Sequence, residues 1–171
     1  QAINDEKQIE EPDVRQMLGL ADKGKIILLL KEVLSGNEKD ALKYLHELIN
    51  DGLDAKNFLN DILEVLYLFS KRLSLGPIEK DSSISEADIQ MIDQYSKNIE
   101  MQDIGLFWQL TIKTIDDLRI IGNENLALEM YVMQLVYLKN IELSKGNISS
   151  GDGNNEFTND NLVGKKIDDK P

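Results

Sequence analysis

Residues Asn123 to Leu143 read NENLALEMYVMQLVYLKNIEL, and this stretch decides the fold. Placed on a helical wheel, Leu126, Ala127, Leu128, Met130, Tyr131, Val132, Met133, Leu135, Val136, Tyr137, Leu138 and Ile141 leave almost no polar side. A helix apolar all round must be wrapped by others, so this stretch predicts a central helix of an α-helical domain. Asn123 is placed to cap its start, and Glu124 and Glu129 put negative charge towards the positive end of the helix dipole. A membrane span is the competing interpretation, but it needs about 20 mostly apolar residues, and Glu129 and Gln134 interrupt the run.

Working outward, further helical patterns surround this one. Asp22 offers a cap for a helix bearing Ile26, Ile27, Leu28, Leu29, Leu30, Val33 and Leu34, closed by Ser35-Gly36 and buried through its middle. Asn37 is read as the cap of an amphipathic peripheral helix with Ala41, Leu42, Leu45, Leu48 and Ile49 on one side. Asp54 opens a longer helix with Phe58, Leu59, Ile62, Leu63, Val65, Leu66, Leu68, Phe69 and Leu73, stopped by Gly76-Pro77. After a loop from Ile78 to Ile84, Ser85 and Asp88 resemble a capping box ahead of Ala87, Ile89, Ile92, Tyr95 and Ile99. Asp103 then begins a helix lined by Ile104, Phe107, Trp108, Thr111, Ile112, Ile115 and Leu118 and ending at Gly122. Gly105 costs that helix about 1 kcal/mol relative to Ala, so a close backbone approach is expected there.

The flanks differ in composition. Residues Gln1 to Glu11 are polar and acidic and read as a tail or the frayed end of a preceding domain, and Pro12 to Gly19 give one or two helical turns. From Ser144 to Pro171 the chain is rich in Gly, Ser, Asn and Asp and reads as disordered linker. The division is therefore a tail over 1–11, a compact all-α bundle of five to six helices over 12–143, and a flexible linker over 144–171.

With 171 residues and 42% hydrophobic content, one domain buries roughly 68–70% of its extended surface. The formal net charge of -12 repels phosphate backbones, which disfavours stand-alone nucleic-acid binding. The absence of cysteine fits a reducing compartment, with the cytoplasm as the expected location, and the N-terminus lacks the pattern of a secretion signal. A start at Gln rather than Met is what is expected of a fragment or a processed product.

No residue set points to catalysis. His46 is the single histidine and reads as a solvated helix residue, since no His/Cys metal site can be assembled around it. Asp116-Asp117 lack the spacing of a calcium loop. There is no GxxxxGK[ST], GxGxxG or GxSxG, hence no phosphate cradle or nucleophile elbow. Catalytic, cofactor and metal residues are thus expected to be absent. Glu129, set among apolar neighbours, either reaches solvent or takes Arg119 or Lys113 as a partner. Phe107, Trp108, Arg119, Tyr131 and Tyr137 are the candidates for a subunit interface. Core packing is the competing role for the aromatic residues, and neighbours about 100° apart on the wheel can divide the two roles.

Several stretches together resemble the C-terminal, collar-forming domain of the gamma/tau subunit of the bacterial DNA polymerase III clamp loader. They are Val14-Arg15-Gln16-Met17-Leu18-Gly19 with Ala21-Asp22, the helix pair from Asn37 to Leu75, Asp103-Ile104-Gly105-Leu106-Phe107-Trp108-Gln109, and Leu126-Ala127-Leu128-Glu129-Met130. Arg119-Ile120-Ile121-Gly122-Asn123 departs from that family in carrying less Pro and charge. The resemblance implies a domain that packs beside its equivalents in other subunits, the same subunit, delta and delta-prime, to hold a five-membered ring of ATPase modules. It implies that ATP and a zinc ion are bound upstream in the parent chain and not by this segment, with no direct nucleic-acid or membrane contact. A free-standing helical adaptor for a partner helix is the alternative, and an enzyme using Glu129 or Asp117 as a base ranks below both.

Overall fold

The computed structural model describes residues 22–80 and 84–149. The expected N-terminal tail, the short helix at Pro12 to Gly19 and most of the expected linker lie outside the described residues. Within them the chain forms six α-helices and one 3-10 turn: α1 (Lys23–Leu34), α2 (Glu38–Asn50), α3 (Ala55–Leu75), α4 (Glu86–Tyr95), the 3-10 turn Ser96–Asn98, α5 (Met101–Asp117) and α6 (Glu124–Ser149). No strand occurs among the described residues, as the helical periodicity predicts.

The helix ends follow local chemistry. The Asp22 carboxylate accepts the Gly24 N–H at 2.9 Å, Asp54 accepts that of Asn57 at 2.8 Å, Ser85 that of Asp88 at 3.1 Å and Asn123 that of Leu126 at 3.2 Å. Each satisfies a donor that a helix start leaves without an intrahelical partner. Asn37 behaves otherwise: its amide donates to the Glu32 carboxylate at 2.9 Å, and α2 has no side-chain cap. Glu32 is buried and needs donors more than α2 needs a cap, because Glu38 and Asp40 already favour that helix start. Lys31 supplies Glu32's other hydrogen bond, and with Asn37 holds its carboxyl below the usual range.

α1 and α2 are joined by a turn in which Asn37 N–H reaches back to the Glu32 carbonyl at 2.9 Å while Gly36 sits at φ +74°. This is the six-to-one closure that a left-handed residue permits. A Cβ on Gly36 would run into Asn140 of α6, so the same glycine lets the turn sit against the last helix.

The core assembles around α1. Ile26, Ile27, Leu29, Leu30 and Val33 are sealed from solvent, and α1 packs against α2, α3, α4 and α6. Phe58, Leu59, Ile62, Val65, Leu66 and Phe69 come from α3, Ile104 and Phe107 from α5, and Leu128, Tyr131, Val132, Leu135 and Val136 from α6. The innermost helix is thus α1, and α6, expected at the centre, is covered on one side only. The reason is supply: α1, α2, α3 and α5 cover the buried side of α6, while Leu126, Met130 and Tyr137 face away from them.

Four boundaries differ from the sequence reading. α4 stops at Tyr95, and Ile99, expected on that helix, is extended after the 3-10 turn. α5 begins at Met101, because Asp103 acts as the third residue of the helix and accepts the Glu100 N–H at 2.9 Å. It stops at Asp117 rather than Gly122, where Ile120 and Ile121 N–H groups both turn back to the Asp117 carbonyl. α6 runs to Ser149, six residues into the expected linker. Gly105 shows no close approach: nothing lies within 4 Å of where its Cβ would stand.

Thr111 accounts for one buried polar network. Its hydroxyl donates to the Phe107 carbonyl at 2.6 Å and lies 2.8 Å from the Tyr131 hydroxyl, whose own pKa burial pushes up. Thr111→Val should cost about 1–3 kcal/mol, since it strands the Tyr131 hydroxyl in the core. Tyr131→Phe should cost less, because Thr111 keeps the Phe107 carbonyl. Urea unfolding of both variants checks that order. Gly36→Ala should cost about 1–2 kcal/mol for left-handed backbone alone, plus the displacement of Asn140, read by the same titration.

Candidate interaction surface

Phe107 and Trp108 occupy consecutive positions of α5 and point to different places. Phe107 is in the core, and Trp108 is 37% exposed. Met101, Trp108 and Ile112, at offsets of seven and four, form an exposed apolar edge of α5. The Ser70 hydroxyl lies 3.7 Å from the Met101 sulfur, which sets this edge beside α3, where Tyr67 is exposed one turn before Ser70. Gly105 lies on the same side and leaves it without a side chain between Met101 and Trp108.

A second apolar stripe runs along α6. Leu126, Met130 and Tyr137 are 62%, 51% and 66% exposed, and their spacing of four and seven residues puts them on one helix face. Monomeric proteins leave single apolar side chains in water routinely, whereas aligned large ones mark contact surfaces. Tyr131, three residues from Leu128, belongs to the opposite side and is buried.

Of the five residues singled out from sequence, the structure therefore exposes Trp108, Tyr137 and Arg119 and encloses Phe107 and Tyr131. Arg119 follows the end of α5 and does not meet Glu129. The Glu129 partner is His46 of α2, at 2.9 Å, with both side chains about half exposed. Lys113, the other expected partner, pairs along its own helix with Asp117. The short reach of a surface pair between α2 and α6 explains why Glu129 is tolerated: it lies at the boundary, not within the core.

Sequence reasoning missed a charged group that is buried. Lys139 of α6 donates to Asp103 of α5 at 2.8 Å, with 9% and 1% of their side chains exposed. One signal existed, since Lys139 stands seven residues after Val132 and four after Leu135, on the buried side of the helix. Glu142 lies 4.0 Å from Lys139 and accepts from Gln102 at 3.2 Å. Burial alone would raise Asp103; the neighbouring Glu142 carboxyl, the Glu100 N–H and Lys139 more than offset it and hold its carboxyl below the usual range. The hydrogen bond to Asp103, with burial and its charge, pushes Glu142 up to about 7.

Among the described residues no group of three or more His, Cys, Asp or Glu is arranged to hold a metal. None of the described helices is long and apolar enough to cross a membrane. A hollow lined by Lys31, Leu34, Ser35, Gln94, Tyr95 and Asn98 includes neither Glu129 nor Asp117.

Two variants separate surface from core. Phe107→Ala should cost about 3–5 kcal/mol, as for a fully buried aromatic, and Trp108→Ala should cost about 1–2 kcal/mol given its exposure. Denaturant midpoints measured side by side decide between them.

The family model described as DNA polymerase III subunits gamma and tau domain III matches residues 9–149. No curated protein sequence matches the chain.

Proposed function

The chain belongs to the family of domain III of the DNA polymerase III gamma and tau subunits, and we propose that it works as the collar domain through which that subunit joins a clamp loader. The observation that supports this most is the line of Leu126, Met130 and Tyr137 on the open side of α6. A chain with a formal charge of -12 gains nothing in solubility from that stripe, but a neighbouring subunit could cover it. The exposed edge of Met101, Trp108 and Ile112 beside Tyr67 lies on other helices and suits a second, different neighbour. Two unlike apolar surfaces on one domain are what head-to-tail packing in a ring requires.

In this role the domain performs no chemistry. The partners are further copies of the same subunit together with delta and delta-prime, and ATP and zinc belong to other parts of the parent protein. That parent acts in the bacterial cytoplasm within a DNA-directed DNA polymerase, a nucleotidyltransferase assembly, and its ATPase modules load the sliding clamp on primed DNA. Phe107 and Tyr131 serve by shaping the core behind the two surfaces, and Trp108 and Tyr137 serve by contact.

Size-exclusion chromatography with light scattering, run with and without the other clamp-loader subunits, tests this. Tyr137→Glu and Met130→Glu should leave the helical fold and melting temperature close to those of the parent, because both side chains already face water. Either should weaken assembly by about 30-fold or more, the loss expected when a central contact residue is removed. Assembly at parental strength in both variants would contradict the proposal. Failure to join those subunits, together with binding of an unrelated helical peptide, would favour a free-standing adaptor.

A further inference from the structure

The packing of α5 on α6 leaves one buried oxygen without an explanation. Asp103 Oδ2 takes the Glu100 N–H and the Lys139 ammonium, but Asp103 Oδ1 is buried and finds no donor. A buried acceptor left unpaired is costly, and native structures supply a partner for nearly all of them. The carboxyl of Glu142 stands beside Asp103: the Lys139 ammonium that holds Asp103 Oδ2 at 2.8 Å is 4.0 Å from Glu142 Oε2, and Asp103 is the first cause of the raised pKa of Glu142. Two carboxylates cannot satisfy each other, whereas a carboxylic acid and a carboxylate can, through one shared proton.

We propose that Glu142 carries a proton which it donates to Asp103 Oδ1, and that this proton fastens the end of α6 to the start of α5. The surroundings favour the arrangement. Asp103 of α5 and Glu100, which caps it, both disfavour an ionised Glu142, and Gln102 donates to Glu142 Oε1, leaving Oε2 to carry the hydrogen. On its own helix Lys139 favours ionisation from 4.0 Å, but its nearer partner is Asp103 at 2.8 Å. α3 presents the neutral Ser70 to α5 at Met101, and its Arg72 is engaged by Asp93 of α4. The turn between α1 and α2 meets α6 on the other side, at Asn140, where Glu32 and Lys31 are paired with one another.

The consequence is a junction that weakens as the proton leaves. Glu142 titrates higher in the folded chain than its ordinary value of 4.5. Its contribution to stability is therefore complete below that value and is lost as pH rises through about 7. Asp103 works in the opposite sense, since it is held below its ordinary 3.8 and lends stability at all higher pH. The window in which the clasp opens is thus set by Glu142 and falls near neutrality.

The test is a carbon-detected NMR titration of the full chain between pH 4 and 9, with Glu142→Gln used to assign the Glu142 carboxyl signal. The signal should move with a midpoint near 7, well above the other exposed glutamates. Melting temperatures supply the second arm: Gln at 142 keeps a donor at every pH, so the parent should lose melting temperature relative to the variant between pH 5 and 8. A Glu142 midpoint in the ordinary carboxylate range, or parallel melting curves for the two proteins, would overturn the proposal. Neither readout depends on subunit assembly, so the clasp and the collar assignment stand or fall separately.

Discussion

The enclosure of α1 is the constraint on which the rest of the structure depends. A helix bearing Ile26, Ile27, Leu29, Leu30 and Val33 on its several sides cannot stay in water, and each further helix is placed by the need to cover it. α2 folds back along it through the left-handed Gly36, α3 and α4 close two more sides, and α6 seals the last. α5 makes its contacts with α3 and α6 instead, and so forms the outer layer of the bundle. The geometry of both exposed surfaces follows from this, because the helices spent on α1 are not available to cover the far sides of α5 and α6.

Charge is arranged to suit that division. Several ion pairs among the described residues link different elements at the surface, where each is worth little, as with Lys23 and Glu64, Lys25 and Asp51, and His46 and Glu129. Lys139 with Asp103 differs in being enclosed on both sides, at the junction of α5 and α6 and backed by Glu142. Breaking such a pair leaves an uncompensated buried charge, so the pair constrains how the two helices meet more than it adds to net stability. The two helices that carry the exposed apolar stripes are therefore also held in register by polar contacts at one end and by Thr111 with Tyr131 further along.

Much of this was legible in the residues. Periodicity placed the six helices of the described residues, and short polar residues marked the caps at Asp22, Asp54, Ser85 and Asn123, because capping is a local interaction. Asn37 was misread since its amide answers to Glu32, whose burial is a tertiary fact. The rank of the two most apolar helices was also reversed. A wheel shows that α6 is apolar on nearly every side, but which sides are covered depends on how many neighbours remain, and that is decided by the whole chain. Trp108 and Tyr137 proved exposed, while Phe107 and Tyr131 were absorbed into the core; pattern alone does not distinguish a side chain facing its own chain from one facing outward. The cluster of Asp103, Lys139 and Glu142 joins positions far apart in sequence and could not be paired without coordinates.

The central claim is that apolar side chains left outside the core are the ones a neighbouring subunit covers. Oxidative footprinting read by mass spectrometry measures this directly, comparing the free chain with the chain mixed with the other clamp-loader subunits. Trp108, Met130 and Tyr137 should label readily in the free chain and become protected in the mixture, with Phe107 and Tyr131 slow in both. Equal labelling of Trp108, Met130 and Tyr137 with and without those subunits, in a mixture shown to be assembled, would contradict it.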